Sequence, residues 1–444
     1  MAEIAAAAWA VEEVVSTTAQ VGIGAYMVSK PTMPLKATFS QIATSSDDNT
    51  RLSLSRSGHS VSVVGNRAYI FGGETAAGKL ASTDIHSITL SHEEKSDSDY
   101  AVIPAIPDQT DGPVPVARTK HAACGFNICV AIFGGLDEAG ELIKETCIWL
   151  FVAGKSSWES LRPLDASAPS PKPRSEGRLF DHQNKLLLYG GKNKAGEALK
   201  DVWLFDYAKS TWRQFPDAPV STSNAAVCNG VLHIISGTDE MSSDLHLLEL
   251  GADSADEHKW QTIPFPTNPM TPGPRPRVGA GLLPITTGYG RHYLAFFFGA
   301  RQQPGHPIPS DTQDPSPQDP SPQDPSPQDS PANEQTYWSD IWTYQLPSAS
   351  HEAKATFSLS EVIRPAKIKD SIRHALGYDS GGHSWGEAEV MPPADLEASA
   401  GKVHPGPRGF FGCDVMKDGR SIVMWGGVDA KGEREGDGWI IRLE

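Results

Sequence analysis

The stretch RTKHAACGFNICVAIFGGLDEAGELIKETCIWLFVAGKSSWESL, residues 118–161, decides how this chain is built. It opens on an arginine and passes through small residues into an apolar run that ends in Gly134-Gly135. A polar loop follows, then the short aromatic strand CIWLF from Cys147, then WESL from Trp158. Runs of this length, bounded by turn residues, read as β-strands, and four of them in series make an antiparallel sheet. A side chain would crowd the tight turn that follows the apolar run, and the glycine pair removes it.

The same series recurs along the chain. Apolar runs with small ends read YIFGG at 69–73, LLYGG at 187–191, HIISG at 233–237, FFFGA at 296–300 and VMWGG at 423–427. Third strands follow as DIHSITL from Asp84, DVWLF from Asp201, DLHLLEL from Asp244, DIWTY from Asp340 and DGWII from Asp437. Fourth strands read WRQF from Trp212, WQTI from Trp260 and FSLS from Phe357. First strands are expected to begin at Arg56, Arg118, Arg174, Arg277 and Arg408. A lone four-stranded sheet cannot bury both faces, so such repeats stack radially into a propeller. Six copies are counted. The wide spacing before the last copy holds no apolar run capable of a further blade.

The double glycine and spaced aromatics resemble the kelch repeat, over residues 37–444. The resemblance implies an all-β, six-bladed kelch-type propeller. Blade four is degenerate, with Ser236 for the first glycine and no leading arginine. The last blade lacks a fourth strand at its C-terminal end, and ATFSQI at 37–42 fits that role, closing the ring. Residues 1–36 read as a helical segment, rich in alanine around residues 3–20.

Two insertions are expected. One is the proline- and aspartate-rich loop 301–337, whose repeated DPSPQ cannot form sheet and reads as disordered. The other is an inserted loop, 364–407, joining blades five and six. Both are expected on one face, together with the leading arginines.

A formal charge of −16 argues against nucleic acid and against an anionic membrane surface. Five cysteines with no CxxC spacing argue against a disulfide framework, so a cytoplasmic setting is expected. No P-loop, dinucleotide fingerprint or hydrolase elbow is present, and no cofactor or metal is expected. Asp370, His374, Asp379 and His383 invite a metal reading but form only Asp/His pairs.

By symmetry Arg56, Arg118, Arg174, Arg277 and Arg408 ring the channel mouth, where guanidinium groups favour an anion; the alternative is bonding within and between blades. His59 and His121 follow the first two arginines by three residues and offer acid/base chemistry or hydrogen bonds to neighbouring backbone. Stand-alone fungal kelch proteins, some of them hetero-Diels–Alder cyclases, look similar. That resemblance implies a cofactor-free cyclase or isomerase of secondary metabolism, with His59, His121, Arg118 and Arg408 catalytic. A small aromatic or anionic ligand would then be held by Arg56, Arg174, Arg277, His374, Tyr378, His383 and Trp385. The alternative is a protein–protein interaction scaffold binding an acidic peptide or partner.

Overall fold

The computed structural model describes residues 34–42, 54–90, 100–236, 242–251, 258–267, 272–287, 291–301, 337–347, 383–392 and 403–444. The elements within them are all β-strands. The expected N-terminal helix and the DPSPQ repeat lie outside these residues.

Six sheets of four strands form the propeller, with one further strand added to the last. Blade two is representative: Ala122–Phe126, Cys129–Phe133, Ile148–Val152 and Ser157–Leu161 follow one another in antiparallel order. The first strands of successive blades pack against each other around the ring, which places them nearest the axis. The leading arginines precede these strands rather than starting them. Their segments bridge instead to residues just past the glycine pair, as in Thr119 with Leu136 and Arg408 with Asp429.

The core is divided rather than central. Six separate apolar clusters each lie between two adjacent blades. Side-chain alternation along the second strand makes this possible. In blade two Val130 and Ile132 pack toward blade one, while Ala131 and Phe133 pack toward blade three. No blade can bury its faces without both neighbours, so closure of the ring stabilises every sheet.

Closure occurs where the sequence places it. Lys36–Gln41 pairs antiparallel with Gly438–Leu443, setting Phe39 opposite Ile441 and Gln41 opposite Trp439. The outer edge of that closing strand is itself covered: Glu389–Val390 pairs with it in parallel.

Blade five differs from expectation. FSLS at 357 lies outside the described residues, and the fourth strand is Ser384–Glu387, Trp385 facing Tyr344 across the pair. Part of the stretch read as an inserted loop, 364–407, is therefore blade and ring closure. The long connection in this blade now runs between strands three and four. In an up-and-down sheet that end lies opposite the end carrying the strand two–three loops. The two long connections thus leave from opposite ends of blade five, not from one face.

Candidate functional site

The five leading arginines are among the most buried side chains in the molecule, at 0–2% exposure. In four blades the guanidinium meets a carboxylate before or early in strand three: Arg118 to Glu145 at 2.7 Å, Arg174 to Asp201 at 2.6 Å, Arg277 to Asp340 at 2.6 Å and Arg408 to Asp437 at 2.5 Å. The same carboxylate accepts the indole N–H of the third-strand tryptophan, from Trp149, Trp203, Trp342 and Trp439. Each guanidinium also donates to the carbonyl of its own blade's turn, as Arg174 does to Gly190 O at 2.9 Å. In blade one His86 stands in for the acid and the indole. Arg56 lies 3.0 Å from His86 Nε2, and His86 Nδ1 lies 2.6 Å from the Tyr100 hydroxyl. Burial lowers Arg56 to about 10, with Tyr100 opposing the shift.

The backbone of each arginine works outward from its blade. Arg118 O, Arg174 O, Arg408 O and Arg56 O accept the N–H of Gly73, Gly135, Gly299 and Gly427 in the preceding blade. That contact explains the first glycine of the pair. Gly134 has φ +65°, and a Cβ there would lie 2.2 Å from Arg174 O. The arginines are corrected from a ligand-binding ring to joints that hold turn, strand and neighbouring blade together. Their donors face the protein, not the channel mouth.

The two histidines are joints as well. His59 is wedged against blade six, where a Cβ at Gly426 would fall 3.0 Å from its Cε1. His121 lies 2.8 Å from Ser60 Oγ of blade one and makes an edge contact with Phe71. Burial, with the nearby arginine, holds His59 well below its ordinary value and His121 at about 3. Both are neutral across the physiological range, so neither is poised for proton transfer near neutrality.

Of the residues expected on the inserted loop, His374 and Tyr378 lie outside the described residues. Trp385 is corrected from a substrate-stacking role: it is 8% exposed and packs on Tyr344, with ring centroids 5.0 Å apart. His383 sits in the turn before that strand, its Nδ1 2.8 Å from the Tyr344 hydroxyl. Trp385 also meets Phe296, at 6.4 Å between ring centroids, the ring over which the Arg277 guanidinium lies.

What the mouth presents is one residue further from the joints. The residues two after each arginine, Gly58, Lys120, Glu176, Gly279 and Phe410, all have φ between +53° and +63°. They form a chain of amides: Phe410 N–H donates to Gly279 O, Gly58 to Phe410 O, Lys120 to Gly58 O and Glu176 to Lys120 O. Non-glycine residues persist in this conformation only where surrounding structure imposes it. The half-exposed Lys120, Glu176 and Phe410 side chains therefore rise from a rigid rim.

Beyond the rim, three strand two–three loops share one turn that the repeat reading passed over: DEAGE at 137–141, NKAGE at 193–197 and DAKGE at 429–433. In each, the Asp or Asn oxygen accepts N–H groups two and four residues on. Each turn ends in an exposed glutamate: Glu141, Glu197 and Glu433. The recurring D/N-x-x-G-E was a readable signal. Among the described residues no group of three or more His, Cys, Asp or Glu could hold a metal ion, and no helix is long and apolar enough to cross a membrane.

A six-bladed ring built on Arg, double glycine and third-strand aromatic joints defines a kelch-type propeller. The KLHDC2/KLHL20/DRC7 Kelch-repeats domain matches residues 58–284, about half of the chain, and the chain belongs to that kelch-repeat family. It is similar to the F-box/kelch-repeat protein At1g51550 of Arabidopsis thaliana, 24% identical over 37% of this chain and 34% of that protein. It is also similar to the N-(sulfonatooxy)prop-2-enimidothioate sulfolyase of Thlaspi arvense, 25% identical over 36% of this chain and 44% of that one. Kelch domain-containing protein 3 of Homo sapiens is 26% identical over 36% of this chain and 40% of its own length. The chain thus spans less than half the length of each of these relatives. Among solved structures, YjhT superposes with a TM-score of 0.52 at 12% identity, covering 88% of this chain and 97% of that one, a likeness of fold alone.

Proposed function

We propose that this propeller is a protein-interaction scaffold whose partner docks on the face carrying the amide rim and the strand two–three loops. The observation that carries the reading is the triplicate turn. Glu141, Glu197 and Glu433 are exposed at equivalent places on three blades, each anchored by an Asp or Asn four residues earlier. A rigid scaffold presenting one feature three times suits a partner that spans several blades. Partner binding is also the common role of kelch propellers.

The charge of the face supports a partner with basic side chains rather than an acidic peptide. Several cations near the rim already face acids: Lys192 to Glu176 at 2.7 Å, Lys194 to Glu141 at 3.3 Å and Arg434 to Glu74 at 3.2 Å. An acidic segment would have to displace those carboxylates. The test is capture of the partner by wild-type protein and by the triple variant Glu141→Lys, Glu197→Lys, Glu433→Lys, whose exposed positions leave the blades intact. At least a tenfold loss, with wild-type binding weakening as salt rises, is expected. Unchanged capture by the triple variant would overturn the reading.

The small-molecule and cyclase reading draws support from the sulfolyase relative, whose printed name is that of an enzyme. The five leading arginines, His59 and His121, which that chemistry would use, are buried joints, so such a reaction would have to use other groups.

A further inference from the structure

The first strands place a second set of ionisable groups along the axis, away from the rim. Arg178 lies on the first strand of blade three and Asp414 on that of blade six, diametrically across the ring. Arg178 is within electrostatic reach of both Asp414 and Cys413. Among the described residues its guanidinium makes no hydrogen bond and no ion pair, and it lies 5.9 Å from the centroid of the Phe180 ring. This contrasts with the five leading arginines, each of which donates to a turn carbonyl of its own blade. Asp414 is pinned in place: one carboxylate oxygen accepts the N–H of Val63 from blade one at 2.7 Å, the other its neighbour Val415 N–H at 2.8 Å.

Arg178, Cys413 and Asp414 are half-buried, and all three lie on first strands, which pack against one another around the axis. The walls strip them of bulk water, and the shifts follow: Arg178 is lowered, Asp414 is pushed up to about 6, Cys413 to about 12, and the Cys124 thiol of blade two is raised. Both thiols are therefore neutral. Asp181, toward the far end of blade three's first strand, is raised by burial and acts on Cys124. The facing first strands of blades one and five, SVSVV and GLLPIT, carry no titratable group.

A desolvated guanidinium without a partner is a strong site for a planar anion with two oxygens. We propose that the axial channel between Arg178 and Asp414 binds a small, freely diffusing carboxylate, held by Arg178 and sharing a proton with Asp414. Binding brings a second carboxylate beside Asp414, and two adjacent carboxylates cannot both remain ionised in an enclosed site. Complex formation therefore takes up a proton, and affinity rises as pH falls. The site is distinct from the rim, so partner capture and carboxylate binding are independent measurements.

The test titrates the full chain with formate, which stays ionised in the range used, by calorimetry and ligand-observed NMR. Affinity should rise at least fivefold between about pH 7.5 and about pH 5.5, with proton uptake shown by the dependence of heat on buffer. Arg178→Met should weaken binding at least tenfold. Arg178→Lys, which keeps the charge but loses the paired donors, should weaken it severalfold and covers the case where the methionine variant does not fold. Asp414→Asn should bind with no pH dependence. Formate binding that is unaltered in both Arg178 variants, or chloride or methylammonium binding as tightly as formate, would overturn the assignment.

Discussion

In blade six the Arg408 guanidinium meets Asp437, which in turn holds the Trp439 indole, while Arg408 O receives Gly299 N–H from blade five. In blade four there is no arginine, and Ser236 replaces the first glycine. Asn224 reaches across to Arg277 O of blade five at 3.0 Å, Asp244 accepts Phe265 N–H at 2.6 Å, and His246 lies between Ser236 and Thr262. Both blades keep four strands and the bond to the next blade. The arginine unit is thus one of two solutions to the same mechanical problem, which is to satisfy polar groups where sheet, turn and neighbour converge. Blade six uses a buried ion pair and blade four uses hydrogen bonds with no buried cation, and the two should fail differently.

The largest difference should follow removal of the acid. Asp437→Ala leaves Arg408 buried with only the more distant Glu435, 3.9 Å away, as counter-charge and should destabilise by about 3–5 kcal/mol in urea unfolding. Asp244→Ala, which strands no cation, should lose only about 1 kcal/mol. Equal losses would erase the distinction. Next, Gly134→Ala combines a left-handed backbone with the 2.2 Å approach to Arg174 O and should lose about 3 kcal/mol or more.

Asp414 sharpens the comparison through pH. Burial raises its carboxyl to about 6, so the native state holds this proton more tightly than the unfolded chain does. The stability it contributes is full below about pH 4 and is lost as pH rises through about 6, a swing of at most about 3 kcal/mol. Asp414→Asn should flatten that part of a stability–pH profile. A smaller effect is expected for Asn224→Ala, about 1–2 kcal/mol, since the joint to Arg277 O loses one hydrogen bond. Smallest of all, the imidazole signals of His59 and His121 should not titrate between about pH 5 and about pH 8 by NMR. A midpoint inside that range would restore their acid/base reading.

The blade count, the divided core and the closing strand were legible in the sequence because they depend on period-two patterning and on Gly and Trp at fixed offsets. The fate of the arginines was not. Symmetry gives the right ring of Cα positions, but only side-chain direction tells whether a guanidinium faces the channel or its own strand three. The acid before that strand was visible at Asp201, Asp340 and Asp437, and pairing it with the arginine would have revealed the joint. Trp385 was misplaced because FSLS at 357 offered an earlier fourth strand, leaving the true one to read as loop. Arg178 and Asp414 escaped notice because each occurs in one blade only, and a search by repetition discards what does not repeat.

The most direct test of the joint assignment is a double-mutant cycle on Arg408 and Asp437, with Arg408→Leu, Asp437→Leu and the double variant unfolded in urea. A buried joint predicts a coupling energy of about 2 kcal/mol or more, with the double variant more stable than at least one single variant. A coupling near zero, with each single loss small, would mean that Arg408 is free of its blade and available to a ligand, and would contradict the account.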